Sequence, residues 1–153
     1  MTAEKGKMVT IAKGIKKLTS RKRAALEVFS NVLFQSTQSN SLSIITEVRL
    51  ENGYIDLRTD LRKVAVAYYC CEVVKKITAE DEPNHHIYQL LLKTLSALEK
   101  ATHTKAIKDG FTWEILEVAG FITSETTSKD PQKILEEVLE RSLGSVRVGR
   151  MLQ

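Results

Sequence analysis

SLSIITEVRLENGYIDLRTDLRKVAVAYYCC, residues 41–71, changes its hydrophobic period halfway along. Before Glu51-Asn52-Gly53, apolar Ile, Val and Leu partly alternate with Ser, Thr, Glu and Arg, the two-residue repeat of a strand with one covered face. Beyond it, from Leu57 to Ile77, nearly every helical turn carries an apolar residue. Val64 to Cys71, VAVAYYCC, is apolar around its whole circumference, which suits a helix enclosed by others. The stretch holds the junction of two kinds of structure and predicts an α+β chain, with a small β module over residues 1–53 followed by an all-helical domain over residues 54–153.

Upstream of the junction, MVTIAK and EVFSNVLFQS read as two further strands, and the polar link QSTQSN, residues 35–40, as the hairpin between the second and third. Glu4-Lys5-Gly6-Lys7 has the composition of another turn, with Gly6 free to take a positive φ. Only Met1, Thr2 and Ala3 precede that turn, so the β module reads as opening in mid-sheet. Downstream, Pro83 and Asn84 break the helical pattern and restart it; Ile87, Leu90, Leu91, Leu95 and Leu98 then form a stripe running to about Ala101. A third helix is expected from Lys105 to Ala119, with Ile107, Phe111, Ile115 and Val118 on its apolar side and Gly120 as its stop. Asp130-Pro131 starts a last helix, an N-cap residue before the one helical position where Pro is welcome.

Charge is local. The net charge of the 153 residues is +4, yet residues 1–23 carry eight Lys/Arg against one Glu, while the remainder, with 15 basic and 18 acidic residues, sums to −3. The densest part is AKGIKKLTSRKRA, Ala12 to Ala24, with six cations and no acid. So one-signed a cluster fits contact with a polyanion, nucleic acid before an anionic membrane, because a merely solvated surface mixes both signs. Lys13, Lys16, Lys17, Arg21, Lys22 and Arg23 are the residues expected to meet phosphates. Tyr54 is the candidate for stacking on a base, whereas Phe29 and Phe34 fit a core role at least as well.

Other chemistries are poorly supported. The only cysteines, Cys70 and Cys71, are neighbours on a helix and read as core residues, with no disulfide framework. His85, His86 and His103 have no Cys or carboxylate at metal-ligand spacing, and Asp56 and Asp60 fit helix N-termini better than a catalytic pair. Phosphate-loop, dinucleotide, nucleophile-elbow and zinc-protease motifs are absent, so an enzyme is unsupported. No apolar run approaches the ~18 residues of a membrane span, and MTAEKGKMV has none of the parts of a secretory signal; a cytoplasmic protein is expected.

Taken together, EKGKMVTIAKGIKKLTSRKRAALEVFSNVLF, then SLSIITEVRLENGYIDLRTDLRKVAVAYYCCEVVKKITAEDEPNHHIYQLLLKTLSALE, resemble RecO, a bacterial recombination mediator family, over about residues 4–120. ILEEVLERSLGSVR, residues 134–147, looks like the last helix of that family and its Ser-Arg-rich end. The resemblance implies an N-terminal OB-fold and a helical domain that bind single- and double-stranded DNA and anneal complementary strands. Its implied partners are RecR, RecA and single-strand-binding protein (SSB), with the chain assisting RecA loading. It carries Lys13, Lys16, Lys17, Arg21 and Arg23 onto the basic positions of the motif, and Arg147 onto its terminal Arg.

Two departures qualify it. The family's opening strand and most of its second have no counterpart before Gly6, so either the true start lies upstream of Met1 or the barrel is incomplete, with open edges prone to pairing with another chain. The Cys residues of the family's zinc module are lacking, Phe121 to Asp130 leading directly to the last helix; zinc is not predicted, nor any other cofactor. Gly144 and Val146 stand where the family often has basic residues. The rival expectations are a helical protein-interaction module and an RNA-binding module, each with an incidental basic strip.

Overall fold

The computed structural model describes residues 1–15, 20–39, 42–122 and 130–139, with Arg21 and Ser39 described by backbone alone. The chain is α+β and forms two compact units. Met8–Tyr54 makes one; Met1–Lys7 joins the chain from Ile55 onward in the other.

Among the described residues the first unit is a three-stranded sheet with one short helix. β1 (Thr10–Ile11) runs parallel to β3 (Leu42–Asn52), β2 (Asn31–Ser39) pairs antiparallel with β3, and the order β1-β3-β2 puts β3 in the middle. Between β1 and β2 lies α1 (Arg21–Ala25), which packs on β3. The hairpin is present, but most of QSTQSN is strand: Gln35 to Ser39 pair with β3 as far as Ser39 opposite Leu42, and Asn40 and Ser41 lie outside the described residues. A polar run reads as a turn only if one face must be covered; here Gln35, Ser36, Thr37 and Gln38 are exposed on both faces. The strand also starts later than EVFSNVLFQS suggests, because Phe29 turns the chain with a φ of 68°.

The other unit holds α2 (Ile55–Thr59), α3 (Leu61–Ile77), α4 (His85–Lys100), α5 (Lys105–Val118) and α6 (Pro131–Leu139). The span Leu57–Ile77 is two helices, because Asp60 is extended and its carboxylate accepts from the Arg62 N–H at 2.8 Å, capping α3. Asn84 caps α4 through the Ile87 N–H at 3.0 Å, and Asp130 accepts from the Gln132 N–H at 3.0 Å at the head of α6. Gly120, at a φ of 77°, ends α5 in a Schellman turn: the Phe121 N–H donates to the Leu116 carbonyl and the Gly120 N–H to that of Glu117. Val118, expected on the apolar face, is exposed, because the buried face of α5 runs through Phe111, Thr112, Ile115 and Leu116.

Leu57, Tyr69, Val73, Leu98, Ile115 and Leu135 form the fully enclosed core of this unit, each contributing roughly 1.5–3 kcal/mol of burial. At its polar centre the Tyr69 hydroxyl of α3 lies 2.7 Å from Thr112 Oγ1 of α5 and donates to Gln132 Oε1 of α6 at 3.1 Å. The Lys108 ammonium sits 4.8 Å from the Tyr69 ring centroid, and the Phe111 ring meets it edge-on at 6.4 Å. Three helices thus share one phenol. Tyr69→Phe should lower the unfolding free energy by about 1 kcal/mol, read from urea denaturation followed by Trp113 fluorescence. An unmoved midpoint would remove the hydroxyl from this account.

Candidate nucleic-acid interface

The described part of the basic segment follows β1 and continues into α1. β1 leads directly to Lys13, exposed on the turn of residues 13–15, and after residues 16–19 the chain enters α1. Lys22 and Arg23 are successive helical residues, so their side chains leave the axis about 100° apart. Their placement has a local reason as well, since Lys22 and Arg23 occupy the last turn, where cations complement the carbonyl end of a helix.

The described cations do different things. Lys13 and Arg23 are exposed, and among the described residues neither forms an ion pair. Because β1 and α1 both pack on β3, one strand carries the two elements that present them. Lys22 is half-buried and donates to the Ile45 carbonyl of β3 at 2.8 Å, tethering α1 to the sheet. One of its three donors is thereby engaged. Arg21 is described by backbone alone, and Lys16, Lys17 and Arg147 lie outside the described residues. Lys22→Ala should cost about 1 kcal/mol of stability, the low end for a charged hydrogen bond that is partly solvated, measured as a lower midpoint of thermal unfolding by circular dichroism.

Tyr54 cannot serve as a stacking platform, because only 2% of it is exposed, and its N–H donates to Asn52 Oδ1 at 2.9 Å. Phe29 and Phe34 are half-buried. A cation of the N-terminal cluster is also committed elsewhere: the Lys7 ammonium donates to the Lys75 and Thr78 carbonyls at the end of α3, at 3.0 and 2.8 Å. Composition counted Lys7 with the cluster, and no local signal marked it as a helix cap.

Among the described residues no other reactive constellation forms. Burial pushes the thiol of Cys70 well above its ordinary range and that of half-buried Cys71 upward too, so neither is an activated thiolate. His85, His86 and His103 are exposed. Among the described residues no group of three His, Cys, Asp or Glu could hold a metal ion, and no helix is long and apolar enough to cross a membrane.

Comparison with known families matches both units in chain order. Residues 1–54 match the family described as Recombination protein O N terminal, and residues 58–128 match Recombination protein O C terminal. The chain belongs to the RecO family. Curated RecO relatives agree: a DNA repair protein RecO of Listeria monocytogenes serotype 4b is 29% identical over 119 residues, covering 78% of this chain and 47% of the relative. RecO of a Roseiflexus species is 28% identical over 116 residues, covering 76% and 41%. RecO of Dehalococcoides mccartyi is 26% identical over 121 residues, covering 79% and 48%. The chain spans about half the length of the curated RecO proteins it matches. No solved structure matches it.

Proposed function

We propose that this chain acts in recombinational DNA repair as a DNA-binding mediator, holding single-stranded DNA by its phosphates along the segment from Lys13 to Arg23. The observation that supports the reading is the pair of exposed cations without acidic partners among the described residues, Lys13 on the turn after β1 and Arg23 in α1, within one sheet unit of a RecO chain. Lys16, Lys17, Arg21 and Arg147 complete the proposed contacts, and Lys22 adds its charge while fixing α1. Membership of the RecO family supports the finer roles: annealing complementary strands, working with RecR, and assisting RecA loading on DNA coated with SSB. Phosphate contact is independent of base identity, which suits a protein that must hold any broken end.

A salt series tests it. With about six phosphate contacts, log K for single-stranded DNA should fall with log salt at a slope near −4, so affinity drops on the order of a few hundredfold between 50 and 200 mM salt. A flat series would remove the basic segment as the contact. Tighter binding to RNA than to DNA of the same length would favour the RNA-binding reading.

A further inference from the structure

α1 is five residues long, well short of the length at which a helix holds in water on its own, so tertiary contacts set it in place. Its inner side is made by two residues three apart. Lys22, half-buried, donates to the Ile45 carbonyl of β3 at 2.8 Å, and Ala25 is 6% exposed. Arg23, one residue on from Lys22 and about 100° round the axis, is exposed, as is Ala24. Apolar contact such as that of the Ala25 methyl has no direction, whereas a hydrogen bond does, so the bond of Lys22 fixes the rotation of α1. Turned by one residue, the helix would take Arg23 to the sheet and Lys22 to solvent.

The acceptor of that bond is itself placed. β1 ends with Ile11 opposite Ile44, and Ile45 is the next residue of β3, beside the register shift that leaves Thr46 without a ladder partner. Lys13 stands two residues after Ile11, and Arg23 one after Lys22. Both exposed cations are thus tied to adjacent residues of one strand, Lys13 through the backbone and Arg23 through the side chain of its neighbour.

We propose that Lys22 is a positioning residue for nucleic acid: by holding the Ile45 carbonyl it fixes the direction of Arg23 relative to Lys13, and it makes no phosphate contact of its own. The inference rests on the reading of the segment from Lys13 to Arg23 as the place of phosphate contact. A cation set in place before the strand arrives spares its ordering cost at binding. Contact and positioning leave different marks. A lost contact forfeits released counterions, so its cost fades as salt rises; lost positioning costs the same at every salt.

Lys22→Met keeps the apolar stem and removes the donor. Fluorescence anisotropy with a labelled oligo-dT strand should show affinity about fivefold below the parent at 50 and at 200 mM salt alike, with the slope still near −4. Loss of a phosphate contact would instead lower the slope by about 0.7 and narrow the deficit about 2.6-fold across that range. The parent supplies a second measurement, because coupling is reciprocal. Saturating oligo-dT should slow hydrogen exchange of the Leu26 amide, which donates to the Lys22 carbonyl at 3.0 Å, by about the same fivefold. Unchanged affinity in Lys22→Met beside a parent slope near −4, a deficit that narrows to that extent, or Leu26 exchange indifferent to oligo-dT would each overturn the positioning role and leave the phosphate reading standing. A flat salt series for the parent would remove that reading, and this inference with it.

Discussion

Replacing Lys16, Lys17, Arg21 and Arg23 together by Gln is expected to weaken binding of single-stranded DNA by about three orders of magnitude at 50 mM salt, because each lost phosphate contact forfeits its share of released counterions. The salt slope should shrink from near −4 to near −1 in the same variant. The loss should be uniform across sequences, since phosphates carry no base identity. Fluorescence anisotropy with a labelled oligonucleotide measures both quantities, and circular dichroism checks that the sheet unit still folds. Unchanged affinity with an intact fold would assign the contact elsewhere in the chain. Loss of binding to one sequence alone would mean base readout rather than backbone contact.

Gly6→Ala should destabilise the helical unit by about 3 kcal/mol, from the left-handed backbone and from overpacking together. Gly6 has a φ of 67°, and a Cβ there would overlap the carbonyl oxygen of Glu82 in the α3–α4 connection, which is backbone and cannot swing aside. The turn it closes is docked on that unit: Thr2 bridges to Gly6, the Asp81 N–H donates to the Lys7 carbonyl at 2.8 Å, and the Lys7 ammonium caps the end of α3. Urea denaturation followed by Trp113 fluorescence reads the loss, and faster hydrogen exchange at the Asp81 amide locates it. Lys7→Met, which keeps the glycine, should cost only about 1 kcal/mol, because its partners at the helix end remain accessible to water. A midpoint unmoved by Gly6→Ala would show that residues 1–7 do not dock.

Much of the helical unit was legible from sequence because its boundaries are set by neighbours in the chain. Asp60, Asn84 and Asp130 cap the helices that follow them through groups two or three residues on, and Gly120 stops α5 through a turn of six residues. The split at Asp60 was harder to see, since the apolar pattern runs through both helices and only the extended backbone of one residue divides them. The sheet was less legible. An edge strand with both faces open to water has no reason to alternate, so Gln35 to Gln38 resembled a loop while forming ladder pairs with β3. Val118 misled for the opposite reason, continuing an apolar stripe of α5 that lies to one side of the face the fold buries, Phe111, Thr112, Ile115 and Leu116.

By itself the sequence determined the α+β order, the ends of the later helices and the concentration of positive charge near the N-terminus, all of which follow from periodicity, capping and composition. Only the tertiary structure decided what individual charges and aromatics do. Lys22 and Lys7 are indistinguishable in the chain from Lys13, yet they are drawn to carbonyls 23 and 71 residues away. Tyr54 was equally free to be a platform until the fold enclosed it. A cation's partner is fixed by which carbonyl the fold leaves open beside it, and that is a property of packing between distant segments, which no local pattern encodes.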